Sequence, residues 1–248
     1  MMTALLFDSS RESTSKLFNF YHAYQPIYSL LDDCVFGYES LIRNAEIENP
    51  EKLFALAAEE KCLFDLDIHS ISRSIQSFEY HSKHSNASRL SVNVFPSTLL
   101  EPSFLIKLDH VMSQVSMSPD NIIFELNEAE SVESLLLLKK VINRLKLQGF
   151  RIALDDLGKG QSSLRIALEL EPDIVKLDRY FAIDLGQSVK KQTFLEWIAA
   201  YFTSEGVAVT LEGIETEAEL AIAKQAGIQF GQGYYLGRPG PQLLYSHR

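Results

Sequence analysis

Residues 151–160 read RIALDDLGKG. The apolar run Ile152–Leu154 ends in two adjacent aspartates, Asp155 and Asp156, and glycine follows at Gly158. Neighbouring carboxylates repel, and each is costly to take out of water. A turn needs at most one of them. The pair at the end of an apolar strand therefore points to a positive charge between them.

The rest of the chain has the same rhythm. β-type runs occur at 24–30 (YQPIYSL), 36–43 (FGYESLIR), 90–95 (LSVNVF), 122–128 (IIFELNE), 151–157 (RIALDDL), 174–180 (IVKLDRY), 208–214 (AVTLEGI) and 231–236 (GQGYYL). The first two lie close enough for a hairpin, with LDDCV as its turn. The others are separated by stretches of helical spacing that stop at Gly149, Gly206 and Gly227, with Thr216 as an N-cap for the last. Alternating strands and helices, with near-continuously apolar strands, imply parallel pairing with helices outside. About eight strands in a chain of this size suit an α/β fold of the (β/α)8 barrel type. A doubly wound sheet would carry a glycine-rich loop after its first strand, and none is present.

The 248 residues are 46% hydrophobic and 23% charged, enough for a sizeable core. The formal net charge of −10 argues against a nucleic-acid polymer or a membrane surface as partner. A phosphate-bearing ligand stays possible, because bound cations reverse a local field. Cys34 and Cys62 have no motif spacing and are expected to be buried thiols in a reducing compartment. No run approaches the ~20 apolar residues of a membrane span. The start, MMTALLFDSSREST, lacks a basic segment and is not a signal peptide. A cytoplasmic protein is expected, with no membrane insertion.

Barrels place functional groups at the C-terminal ends of their strands. Here that rule collects Glu39, Asn93, Glu125, Glu128, Asp155, Asp156, Lys176, Asp178, Glu212, Glu215 and Gln232. Singly each has an ordinary reading: a solvated loop carboxylate, a turn amide, a surface lysine, a helix cap. Together they would repel unless a cation joins them, and hard divalent cations take oxygen ligands. Asp155 could bridge two ions while Asp156 completes one, the two-metal arrangement used on phosphodiesters. None of the six histidines lies in these strand ends, and His81 and His84 read as a solvated loop, which argues against a histidine-rich zinc or iron centre. No nucleophile elbow or Walker loop is present.

The ordered motifs resemble the EAL-domain cyclic di-GMP phosphodiesterases of bacteria, from about Tyr24 to Pro241. YQPI resembles the family's opening strand. GYESLIR resembles its Glu-x-Leu-x-Arg signature, with Glu39, Leu41 and Arg43. SVNV, FELNE, ALDDLGKG, VKLDRY, LEGIE and GQGYYL resemble the remaining motifs in order. The resemblance implies a stand-alone EAL domain over 24–248, with 1–23 as an N-terminal extension. It implies a modified (β/α)8 barrel, of the triosephosphate isomerase type, whose second strand runs antiparallel. It also implies hydrolysis of cyclic di-GMP to linear pGpG with two Mg²⁺ or Mn²⁺ ions.

By that resemblance Glu39, Asn93, Glu125 and Asp155 would hold one ion, and Asp155, Asp156 and Glu212 the other. Lys176 would contact the attacking water, helped by Gln232, and its pKa is expected to be depressed by nearby positive charge. Gln25 and Arg43 would contact substrate, Arg43 at a phosphate. Glu128 would steady the loop after Asp156, Glu215 would support the site, and Asp178 belongs to the Lys-x-Asp motif.

The departures from the family pattern cluster. Ser40 replaces an alanine, Asn127 a threonine, and Phe95 a small polar residue. The loop after the aspartates carries Lys159 and Gln161, in a segment the family links to metal affinity and dimer coupling. All the ligand residues are retained. An active hydrolase is the first expectation. A weak or inactive domain acting as a cyclic di-GMP receptor or protein-interaction module is the alternative. Metal-assisted enolate chemistry in a barrel has nothing specific behind it. Residues 1–23 are too few for a sensor domain, so regulation is expected through homodimer formation, a protein partner or expression level.

Overall fold

The computed structural model describes residues 15–82, 89–126, 135–158, 163–241 and 243. Eight strands close into one barrel in sequence order. They are β1 (Phe20–Ser29), β2 (Cys34–Asn44), β3 (Leu90–Val94), β4 (Ile122–Leu126), β5 (Arg151–Leu157), β6 (Ile174–Leu177), β7 (Ala208–Leu211) and β8 (Phe230–Gly231). Around them lie α1 (Pro50–Glu59), α2 (Leu63–Ser82), α3 (Pro96–Leu100), α4 (Phe104–Met112), α5 (Leu135–Leu147), α6 (Ser163–Leu170), α7 (Val189–Ser204) and α8 (Glu217–Gln225).

β2 through β8 pair in parallel, whereas β1 is antiparallel to both β2 and β8. The reversed strand is thus the first, not the second. The short β1–β2 hairpin forces one of the two to oppose the rest. β2 is the one whose register with β3, Glu39 opposite Ser91, continues the parallel sheet.

The strands are apolar because helices cover their outer faces. Every residue of β4 and of β6 is buried. The core runs from Tyr38, Ile71 and Phe78 through Phe124 and Ile152 to Leu195 and Val209. The helix starts and stops follow their local chemistry. Thr216 caps α8 in a capping box: its side chain accepts from Glu219 N, and Glu219 Oε2 accepts from Thr216 N. Asn49 Oδ1 accepts from Glu51 N and Lys52 N to cap α1.

Two further expectations are corrected. Cys34 is exposed and Cys62 half-buried, because Cys34 sits where β2 leaves the hairpin turn rather than under a helix. His81 is not in a loop: α2 continues to Ser82, and its ring contacts Tyr24 and Tyr80. His84 lies outside the described residues. Among the described residues no helix is long and apolar enough to cross a membrane.

Candidate active site

The adjacent aspartates are explained by a bulge. Leu154 pairs with Val175 and Leu157 with Leu177, so Asp155 and Asp156 together oppose Lys176 alone. In a regular strand successive side chains point to opposite faces. Here the extra residue and a left-handed backbone at Asp156, φ 56°, return the second carboxylate toward the barrel mouth. One carboxylate oxygen from each of Asp155, Asp156 and Glu212 lies within 4.8 Å of the others, a grouping that suits a metal ion.

Lys176 is the hub. Its ammonium lies 2.7 Å from Glu212 Oε1, 2.8 Å from Glu125 Oε2, 3.1 Å from Asp155 Oδ1 and 3.5 Å from Glu39 Oε2. It is only 1% exposed, like Glu125. Burial lowers a lysine pKa, but Asp155, Glu125, Glu212 and Glu39 outweigh it and push the pKa well above its ordinary value. Four carboxylates face the ammonium at close range, whereas the expected depression belongs to a site in which bound cations add their positive charge. The carboxylates divide. Burial drives Glu125 well up and Asp155 up, against the pull of Lys176. It drives Glu212 to about 8 in the same way. Glu39 alone stays low: burial is overcome by Lys176 and by hydrogen bonds from Gln232 and Asn93. One ammonium does not neutralise this cluster.

The amides knit the first strands to the last. Gln232 Nε2 donates to Glu39 Oε2 at 2.7 Å and to Gln25 Oε1 at 3.2 Å. Gln25 Nε2 donates to Gly237 O, and Asn93 Nδ2 donates to Glu39 Oε1 at 3.0 Å. Gln25 thus joins the rim although β1 runs the other way, because it pairs with Glu39 in the hairpin. Arg43 stands farther along β2, with Nη1 donating to Ile42 O. Asp178 Oδ1 accepts from Tyr180 N, starting the short turn Arg179–Phe181. Glu215 pairs with Arg179 at 3.3 Å on the surface, outside the carboxylate cluster. Glu128, Asn127, Lys159 and Gln161 lie outside the described residues.

A cavity of about 560 Å³ opens beside the carboxylates. β2 pairs with β3 only as far as Ser40 and Val92, and beyond that point the strands part. Glu39, Asn93, Asp156 and Arg43 line the cavity, Phe54 and Phe95 wall it, and His22, Asp67 and Ser70 add polar groups. The sequence reading missed these last three. A polar residue in β1 and two in α2 carry no local signal of sharing a pocket.

The residues fit divalent cations. The donor set is all oxygen apart from Lys176. Among the described residues, Gln232 Oε1 is a buried acceptor with no hydrogen-bond donor, and Asp155 Oδ1 meets an ammonium that it shares with three other carboxylates. Leftover acceptors rather than leftover donors are what a hard cation satisfies.

The EAL domain profile matches residues 10–239. The chain belongs to the EAL domain family. This EAL domain is 26% identical over 209 residues to "Probable cyclic di-GMP phosphodiesterase PdeA" of Escherichia coli K12, covering 83% of this chain and 29% of that protein. It spans less than a third of the length of such curated relatives. Among solved structures it resembles a standalone EAL protein from Vibrio cholerae O395 bound to c-di-GMP. That match has a TM-score of 0.82 and 27% identity, covering 92% of this chain and 95% of that one. It also resembles Klebsiella pneumoniae BlrP1 in a manganese/c-di-GMP complex, with a TM-score of 0.80 and 26% identity, covering 90% and 56%.

Proposed function

We propose that the protein hydrolyses cyclic di-GMP to linear pGpG with two bound Mg²⁺ or Mn²⁺ ions. The observation that carries the reading is the bulge that turns Asp156 back beside Asp155 and Glu212 at the mouth of a barrel. Glu39, Asn93, Glu125 and Asp155 would hold one ion, and Asp155, Asp156 and Glu212 the other. The ions would neutralise the phosphodiester and make water acidic enough to attack at neutral pH.

The chain's own residues do the rest. Lys176 keeps four carboxylates in register around one ammonium, which on this reading would contact the attacking water. Gln232 holds Glu39 in its orientation through a donated hydrogen bond, and Gln25 Oε1 accepts from the same Gln232 amide and steadies it. Arg43, at the cavity edge, swings from its own strand's carbonyl to fork onto a phosphate. Phe54 and Phe95 offer apolar faces to a base. The cavity is of a size to take a nucleotide portion of the substrate. The homodimer belongs to the same reading and is checked by light scattering.

The test is incubation with cyclic di-GMP and Mg²⁺ or Mn²⁺, with products separated by chromatography. We expect pGpG, abolished by EDTA and by Asp155→Asn. If calorimetry shows cyclic di-GMP binding with neither metal yielding product, the receptor reading replaces this one.

A further inference from the structure

We propose that the turn Arg179–Phe181 is a clamp that sets the spacing of Asp155, Asp156 and Glu212, with Phe181 as the positioning residue. The proposal rests on the metal reading above. It concerns how the ligands are held rather than which they are.

The turn touches both loops that carry the three carboxylates, and it does so at glycine. Gly158 follows Asp156 by two positions with φ 104°, and Gly213 follows Glu212 directly with φ 72°. A Cβ on Gly158 would lie 2.6 Å from Phe181 Cε2 and 2.8 Å from Cζ. A Cβ on Gly213 would lie 2.7 Å from Arg179 Cγ and 2.8 Å from its Cβ. No real Cβ tolerates such distances, so both side chains rest directly on backbone. Phe181 bears on the end of the bulge, and Arg179 on the end of β7.

The turn is itself anchored. Asp178 N donates to Leu157 O and Glu212 N to Leu177 O, tying β6 to both neighbours. Phe181 stacks on Phe194 of α7, with ring centres 5.0 Å apart and planes 12° from parallel. Lys191 of α7 donates to Ile183 O at 2.6 Å and to Tyr180 O. The Arg179–Glu215 pair is exposed and adds little energy. The ring is therefore the firmer jaw, backed by a helix. It acts through the backbone that carries the carboxylates, which it meets at Gly158. Groups that orient metal ligands tune affinity strongly even when they never meet the ion.

The test is Mn²⁺ titration calorimetry on the full chain, read without substrate. We expect Phe181→Ala to weaken the affected Mn²⁺ site by about tenfold or more. Phe202→Leu, a core change in α7, is expected to lower thermal stability and leave Mn²⁺ affinity unchanged. Gly158→Ala is expected to weaken Mn²⁺ about tenfold alone and distinctly less in a Phe181→Leu background, where the ring no longer blocks the new methyl. The Leu variant also serves if Phe181→Ala fails to fold. Wild-type affinity in Phe181→Ala and Phe181→Leu, or additive effects in the double variant, overturns the clamp and leaves the metal reading standing. Absence of Mn²⁺ binding by the wild type overturns the metal reading and the clamp with it.

Discussion

Lys176 Nζ lies 2.7 Å from Glu212 Oε1, and the same ammonium is the shared partner of Glu125, Asp155 and Glu39. A buried carboxylate that loses its only cation is expensive. Lys176→Met is expected to destabilise the metal-free protein by about 3–5 kcal/mol, seen as a lower urea midpoint. Mn²⁺ is expected to restore part of that midpoint, since it supplies positive charge to the same oxygens. Hydrolysis is expected to fall by about 10²-fold or more, with Mn²⁺ present at saturation.

Phe54 and Phe95 pack edge to face, with ring centres 4.9 Å apart, on the cavity wall. Phe54→Ala removes an apolar face from the proposed base site without touching a carboxylate. Steady-state kinetics are expected to show KM raised about tenfold with kcat within about threefold, the mark of lost binding shared by ground and transition states.

His22 gives the protein an acid-sensitive element. Burial, aided by the charges of Arg73 and His69, lowers its pKa from 6.5 to about 4, and its Nε2 lies 3.1 Å from Ser70 Oγ. The unfolded chain therefore binds a proton at this residue between pH 6.5 and 4 that the folded chain refuses. Its contribution is fully present above about pH 6.5 and is lost as pH falls toward 4, amounting to about 3 kcal/mol. Urea unfolding from pH 7 to 4 is expected to show this loss, and His22→Leu is expected to flatten that part of the profile.

Gly233 has no room for a side chain: a Cβ there would lie 2.1 Å from Ile214 O and 2.3 Å from Ile214 N. Both obstacles are backbone and do not rotate away. Gly233→Ala is expected to cost about 2 kcal/mol or more, measured by thermal or urea unfolding. Because Gln232 precedes it and donates to Glu39, activity is expected to fall further than the stability loss alone would bring.

Much of this protein was determined by local sequence. Apolar runs such as 122–126 and 174–177 record burial on both faces, and Thr216 with Glu219 records a helix start, because each signal acts among neighbours along the chain. The order of the motifs also named the carboxylates and the family. Register and closure were decided elsewhere. Only the closed barrel shows that β1 rather than β2 is reversed, since direction depends on which hairpin strand finds β3. Only the β5–β6 register shows that Asp155 and Asp156 share one opposing residue and so face the same mouth. The proton on Lys176 follows from four carboxylates brought from β2, β4, β5 and the end of β7, which no spacing along the chain records. His22, Asp67 and Ser70 became pocket residues for the same reason. Local pattern fixes which face a side chain takes, whereas the charge and space around it come from residues distant in the chain and close only after folding.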